Sequence, residues 1–251
     1  MTRSGRIPKR THHFALASFA AGAFALFALG SGPAAAIEGG ALAGRNALSR
    51  ATVGIATLSA GEGSIGLNRC SGVLVSPTLV LTAGHCVRDN PVASAVVFYE
   101  GSRSVRPPLR VAALARYDVV ASDLPAGYGG LLELSLDTAL LRLAAPVRGR
   151  APVRIGGGGR PPAGLRLLGA GLSGEGVGTL KTTRLDPVLQ TATGLIIART
   201  RGSEVCSGDS GGPVVAEGRG GPVLWGVASA VITDRPPCGS IVVVAPARPS
   251  F

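Results

Sequence analysis

The octapeptide Cys206-Ser-Gly-Asp-Ser-Gly-Gly-Pro213 sets one serine, Ser210, among glycines in a short turn-forming stretch. An unassisted serine hydroxyl is a poor nucleophile, so catalysis needs a base that takes its proton and donors that hold the developing oxyanion. Glycines beside Ser210 permit a tight turn and let successive backbone N–H groups point at one place. The stretch therefore predicts a nucleophilic serine, with the amides of Gly208 and Ser210 as the oxyanion hole.

One histidine is available as the base. The chain has three histidines, and His12 and His13 lie in a leader that we expect to be removed. His85 remains, in the motif Leu81-Thr-Ala-Gly-His-Cys86.

A carboxylate that would orient this imidazole is expected in Asp137-Thr-Ala-Leu-Leu-Arg-Leu143. Asp118 and Asp123 also lie between His85 and Ser210 in the sequence. Asp137 is favoured because it stands at an apolar strand, where a buried orienting carboxylate is expected.

With these three motifs in the order His, Asp, Ser, the chain resembles the trypsin/chymotrypsin-like serine proteases (peptidase family S1). It is most similar to secreted members of the bacterial type. The resemblance implies two six-stranded antiparallel β-barrels with the active site in the cleft between them. Residues 37–251 would form the peptidase domain, with the first barrel at about 37–145 and the second at about 155–251. No metal or other cofactor is expected.

The strand pattern, taken by itself, also predicts an all-β barrel or sandwich. Short apolar runs alternate with Gly, Ser, Asn and Pro, and no long amphipathic helix is predicted. The predicted strands are Val53–Leu58, Gly72–Val75, Leu79–Ala83, Val92–Tyr99, Ala139–Leu143, Leu165–Leu168, Gly194–Ala198, Pro213–Ala216, Val223–Ile232 and Ile241–Ala245.

Four cysteines lie beside the histidine and serine motifs, and an even number in an exported protein favours disulfides. The family resemblance implies the pairs Cys70–Cys86 and Cys206–Cys238. A zinc site is rejected because the CxxC spacing is missing and the one remaining histidine is already assigned.

Residues 1–36 are predicted to be a signal peptide, which places the product in the periplasm or outside the cell. Four basic residues precede the apolar segment Phe14–Leu29, and Ala34-Ala-Ala36 supplies the small residues of a cleavage site. A membrane anchor is the alternative, although this sixteen-residue segment is slightly short of a membrane span.

The remaining chain would carry 21 basic and 14 acidic residues, a net charge of +7. Its arginines are scattered singly and not interleaved with aromatic residues, which argues against nucleic-acid binding. The expected partner is a protein or peptide substrate, with no membrane contact after signal removal and a monomeric state.

Cleavage after Ala36 would expose Ile37-Glu-Gly-Gly40, which resembles the family's activation sequence. The resemblance implies that the new α-ammonium of Ile37 pairs with Asp209 and shapes the oxyanion loop. A flexible chain start is the alternative.

The specificity pocket is assigned by the same resemblance to Glu204, Ser229 and Val231. A carboxylate at Glu204 would favour a basic P1 residue, whereas Val231 would narrow the pocket. A Glu204 side chain that turns to solvent or to a nearby arginine is equally compatible. The expected P1 residue is therefore basic or small.

The predicted function is that of a secreted serine endopeptidase working through an acyl-enzyme. The alternative is a non-catalytic protease-like binding module, although such modules usually have a broken triad. An esterase would need its nucleophile elbow on an alternating α/β pattern, and the sequence lacks the helices of such a pattern.

Overall fold

The computed structural model describes residues 36–61, 64–87, 91–117, 134–156, 159–173, 176–234 and 236–248. The predicted signal peptide lies outside these ranges except for Ala36, as do Asp118 and Asp123. The described residues contain no helix long and apolar enough to cross a bilayer. They are mostly strands, preceded by the short strand β1 (Ala41–Leu42) and the five-residue helix α1 (Ala47–Ala51).

Six antiparallel strands close the first barrel. In Ala139–Leu143, Leu141 and Leu143 are buried while Arg142 is exposed, the alternation of a strand with one face on a core. The barrel strands are β2 (Thr52–Gly61), β3 (Ser64–Ser76), β4 (Leu79–Thr82), β5 (Ala93–Glu100), β6 (Arg103–Tyr117) and β7 (Ala139–Leu143). They pair in the order β2-β3-β4-β7-β6-β5, and β5 returns to β2.

A second six-stranded antiparallel barrel follows a connection that contains β8 (Arg154–Ile155). Leu165 and Leu167 are fully buried in its first strand, with Arg166 between them at the surface. The six barrel strands are β9 (Leu165–Gly169), β12 (Lys181–Gln190), β13 (Ile196–Thr200), β15 (Pro213–Gly218), β16 (Gly221–Ile232) and β18 (Ile241–Pro246). Two short antiparallel pairs accompany them: β10 (Leu172–Ser173) with β11 (Gly176–Val177), and β14 (Val205–Cys206) with β17 (Cys238–Gly239). The ring closes because β12 pairs with both β13 and β9.

The predicted fold class is therefore confirmed, and each of the ten predicted strands overlaps a strand of a barrel. Two barrel strands were not predicted, β6 and β12. Both contain proline, which cannot donate to a ladder and is confined to edges or bulges. The β5–β6 register shifts between Val96 and Phe98, next to Pro107 and Pro108, and the β12–β13 register shifts at Pro187.

Residues 37–42 join the second barrel. Ile37 is fully buried among the core residues of that barrel, and β1 pairs with β12. The start of the described chain therefore lies against the half that carries Ser210.

Candidate active site

His85 lies in a single 3-10 turn, Gly84–Cys86, that follows β4. Its backbone amide donates to Asp137 Oδ1 at 2.8 Å, and its ring Nδ1 lies 2.8 Å from Asp137 Oδ2. An Nδ1–H that donates to a carboxylate leaves Nε2 as an acceptor, which is the tautomer that a general base needs. The structure therefore brings His85 and Asp137, two of the residues predicted for the site, into direct contact.

Asp137 lies two residues before β7 and is buried, with 4% of its side chain exposed. Ser229 of β16 donates its hydroxyl to Asp137 Oδ2 at 2.6 Å. Burial alone would raise the pKa of Asp137, but the hydrogen bonds from His85 and Ser229 and the charge of His85 hold that pKa below its usual value. The carboxylate is thus kept ionised beside the imidazole.

The loop that carries Ser210 is fastened to the first barrel next to His85. The amide of Ser71 in β3 donates to the Ser210 carbonyl at 2.7 Å, and Cys86 Sγ lies 3.9 Å from the same oxygen. Ser210 and His85 are both half-buried. Among the described residues no hydrogen bond joins His85 Nε2 to Ser210 Oγ, a contact that is often long in free enzymes and shortens with substrate.

Any side chain at Gly211 would force the serine loop or the first barrel to move. Its φ is +81°, a conformation that favours glycine. A Cβ at this position would lie 2.1 Å from Thr82 Oγ1 and 2.2 Å from the Ser71 carbonyl oxygen. The glycine after the serine therefore lets the loop approach the first barrel closely.

The two amides predicted for the oxyanion hole are free donors. Gly208 has a φ of +90°, and the described part of the chain contains no backbone or side-chain acceptor hydrogen-bonded to the amides of Gly208 or Ser210. Neighbouring amides of the loop are occupied, since Asp209 donates to the Cys206 carbonyl and Gly212 to that of Asp209. Unpartnered amides in such a loop are available to an anionic oxygen.

Both predicted disulfides are present and hold the two motifs. Cys70 is bonded to Cys86, and Cys206 to Cys238. The groups of potential metal ligands found among the described residues are Cys70 with His85 and Cys86, and Glu38 with Cys206 and Cys238. In both groups the cysteines are bonded to each other, so they offer no thiolate to a metal.

Asp209 is buried beneath the loop and contacts Ile37. The backbone N of Ile37 donates to Asp209 Oδ2 at 3.0 Å, and the Cys206 amide donates to the same oxygen at 2.9 Å. Oδ1 of Asp209 has no hydrogen-bond partner in the described part of the chain. Burial raises the pKa of Asp209 to about 7.

A cavity of about 90 Å³ opens beside Ser210. Its lining includes Ser229 and Val231, two of the three residues predicted for the pocket, and none of its described lining residues is a carboxylate. The lining residues are Val205, Cys206, Ser207, Ser210, Ala228, Ser229, Ala230, Val231 and Pro237.

Glu204, the third residue predicted for the pocket, lines a separate depression with Glu38, Gly202 and Ser240. Its amide donates to the Glu38 carbonyl at 2.8 Å. The structure therefore brings Ser229 and Val231 to the cavity beside Ser210 but does not bring Glu204 there.

Sequence reasoning did not single out Ser71 and Thr82, whose backbone or side-chain atoms contact the serine loop. Both are small polar residues that are fully buried. Ser71 follows Cys70, and Thr82 lies within the histidine motif, three residues before His85. Nothing in a strand pattern distinguishes their side chains from those of neighbouring serines and threonines.

Comparison with known proteins agrees with this architecture. A family model described as Trypsin matches residues 44–247. Transmembrane protease serine 9 of Rattus norvegicus is 31% identical over 185 residues, which cover 64% of this chain and 17% of that protein. A solved structure described as HL collagenase superposes with a TM-score of 0.63 at 20% identity, covering 84% of this chain and 93% of the other.

Proposed function

The chain belongs to the trypsin family, and we propose that it is a secreted serine endopeptidase that cleaves peptide bonds through an acyl-enzyme. The chain spans less than a fifth of the curated relative that it matches, so the activity is argued from its own site. The observation that carries the proposal is the chain of contacts from Ser229 to Asp137 and from Asp137 to the ring and backbone of His85.

In the proposed mechanism, Ser210 Oγ attacks the scissile carbonyl while His85 Nε2 takes its proton. The oxyanion receives hydrogen bonds from the amides of Gly208 and Ser210. His85 then gives the proton to the leaving amine, and water hydrolyses the acyl-enzyme by the same steps in reverse order. Asp137 keeps the imidazole oriented and stabilises its positive form, which its low pKa and its buried hydrogen bonds favour.

We propose that the P1 residue is small and uncharged. The cavity beside Ser210 measures about 90 Å³, well below the usual range of ligand pockets of roughly 300–1,000 Å³. Val231 contributes to its wall, and among the residues that the structure describes there, none carries a negative charge that would pair with Arg or Lys. Alanine or valine at P1 fits this space better than a long basic side chain.

Cleavage between Ala36 and Ile37 is proposed to complete the site. In the uncleaved chain Ile37 has a φ of +26°, which is strained for a β-branched residue, and its neutral amide faces the Asp209 carboxyl. Release of Ala36 would remove that backbone constraint and would place an ammonium beside a buried acid. Signal peptidase would then generate the active enzyme directly.

The experiment that tests the proposed activity is hydrolysis of peptide p-nitroanilides with Ala, Arg or Phe at P1. Wild type starting at Ile37 is compared with Ser210→Ala. Turnover by wild type and none by the variant supports a peptidase, whereas equal inertness on all three substrates supports a non-catalytic binding module.

A further inference from the structure

The side chain of Ser71 links the two barrels beside the serine loop. Ser71 lies in β3 of the first barrel and is fully buried. Its hydroxyl donates to the Gly208 carbonyl at 2.9 Å and accepts the amide of Ala170, also at 2.9 Å. Both partners belong to the second half of the chain, 137 and 99 residues away. A single hydroxyl thus serves as donor and acceptor across the barrel interface.

The contact with Gly208 fixes one particular peptide group. The carbonyl of the Gly208–Asp209 peptide accepts from Ser71 Oγ, and the N–H of the same peptide donates to the Cys206 carbonyl at 3.1 Å. This peptide is therefore held at both ends. It lies between the Gly208 and Ser210 amides, so its orientation sets the spacing and the relative direction of the two proposed oxyanion donors.

Gly208 has little to restrain its own backbone. Its φ of +90° is open to glycine, which has no Cβ to restrict rotation of the adjoining peptides. The restraint comes from a side chain of the other barrel. Correct docking of the barrels and formation of the hole are consequently coupled through one hydroxyl.

We propose that Ser71 is a positioning residue for the oxyanion hole, acting through the Gly208–Asp209 peptide, an inference that rests on the proposed peptidase activity. Loss of the hydroxyl would leave the Gly208 carbonyl without its partner in the first barrel. The Gly208 amide would then spend less time aimed at the oxyanion. The defect would appear in the chemical step more than in substrate binding.

The test compares Ser71→Ala with Ser49→Ala in protein starting at Ile37. Ser49 is an equally buried serine whose hydroxyl bonds to the backbone of Asn46 at the start of α1, so it controls for loss of a buried hydroxyl as such. Removing one oxyanion donor costs about 10²–10³ in kcat, and a misaimed donor is expected to cost about 10–100-fold. KM should change by less than about threefold, since ground-state contacts remain.

A peptidyl trifluoromethyl ketone supplies a readout that a purely structural defect would not move. Its tetrahedral adduct with Ser210 puts an oxyanion in the hole, so its Ki should rise in Ser71→Ala by the factor by which kcat/KM falls. Ser71→Thr keeps the hydroxyl and should retain a kcat within about threefold of wild type, because the same hydrogen bonds can form.

The role of Ser71 is overturned if Ser71→Ala has the kcat and Ki of Ser49→Ala, or if Ser71→Thr is as slow as Ser71→Ala. Wild-type turnover tests the proposed function separately. An active wild type with an unaffected Ser71→Ala variant removes the role of Ser71 alone, whereas a wild type that neither hydrolyses peptides nor binds the ketone removes both.

Discussion

The hydroxyl of Ser229 donates to Asp137 Oδ2 at 2.6 Å across 92 residues of sequence. Ser229 belongs to β16 of the second barrel, while Asp137 precedes β7 of the first. The carboxylate that orients His85 is therefore itself held by the half of the molecule that supplies Ser210. The proposed catalytic groups are aligned only when the two barrels are docked.

Replacing Asp137 should cost far more activity than replacing Ser229. Asp137→Asn keeps the shape of the side chain but favours the wrong tautomer of the His85 ring, so kcat is expected to fall about 10⁴-fold. Ser229→Ala removes one of several hydrogen bonds to the carboxylate, so a loss of about tenfold is expected. Steady-state kinetics on an alanyl p-nitroanilide measures both. Equal losses in the two variants would contradict the assigned division of roles.

Enlarging the cavity beside Ser210 should change the P1 preference. Val231→Gly removes a wall side chain and should improve kcat/KM for Phe relative to Ala at P1 by about tenfold. Glu204→Gln tests the third residue predicted for the pocket. The ratio of kcat/KM for Arg to that for Ala at P1 should not change in this variant, because Glu204 lines a different depression. Preferred hydrolysis of the Arg substrate, lost in Glu204→Gln, would refute the small-P1 proposal.

The chain with Ala36 still attached should lose stability as the pH rises. The pKa of Asp209 is raised from 3.8 to about 7 by burial, so the folded form binds more protons than the unfolded form between these values. Its stability is full below about pH 4 and falls as the pH rises through 7, by up to about 4 kcal/mol. Backbone hydrogen bonds, those from Cys206 and Ile37 first, and the charge of Lys181 lower this pKa, but burial outweighs them.

Protein that starts at Ile37 should not show this loss, because in the proposed active form the ammonium of Ile37 would pair with the ionised carboxylate. Thermal unfolding of both forms at pH 5 and pH 7.5 measures the difference, and Asp209→Asn in the extended form should flatten its pH dependence. Parallel pH curves for the two forms would argue against pairing between Ile37 and Asp209.

Gly169→Ala should destabilise the fold severely. A Cβ on Gly169 would lie 2.2 Å from Asp209 Oδ1 and 2.7 Å from its Cγ, and Asp209 is fixed by the amides of Ile37 and Cys206. We expect a loss of about 3 kcal/mol or more in the free energy of unfolding, measured by denaturant titration.

The matched control for this substitution is Gly44→Ala. A Cβ on Gly44 would meet no atom within 4 Å, so the variant should unfold like wild type. Similar unfolding curves for the two glycine variants would show that the packing of Asp209 against Gly169 is looser than the structure has it.

The fold and the proposed triad were accessible from sequence because short motifs carry them. His85, Asp137 and Ser210 stand in stretches whose residue order is specific, and the apolar runs alternate as strands do. β6 and β12 were missed because Pro107, Pro108 and Pro187 interrupt their patterns, and bulges that a sequence does not reveal accommodate those prolines.

Contacts that depend on the three-dimensional packing of the barrels could not be predicted from the sequence. Counting residues back from Ser210 placed Glu204 in the pocket, yet its backbone pairs with Glu38 and it lines another depression. Ser71 reads as an ordinary strand serine, and its link to Gly208 exists only because two barrels meet at that point. Such pairings arise from tertiary packing and leave no local pattern.

Covalent labelling by a fluorophosphonate tests the central claim most directly, because the probe reacts with a serine only when a base activates it. Protein starting at Ile37 should be labelled at Ser210, with no labelling in Ser210→Ala and little in His85→Ala. Failure of the folded wild type to react, or labelling that persists in Ser210→Ala, would contradict the proposed serine peptidase.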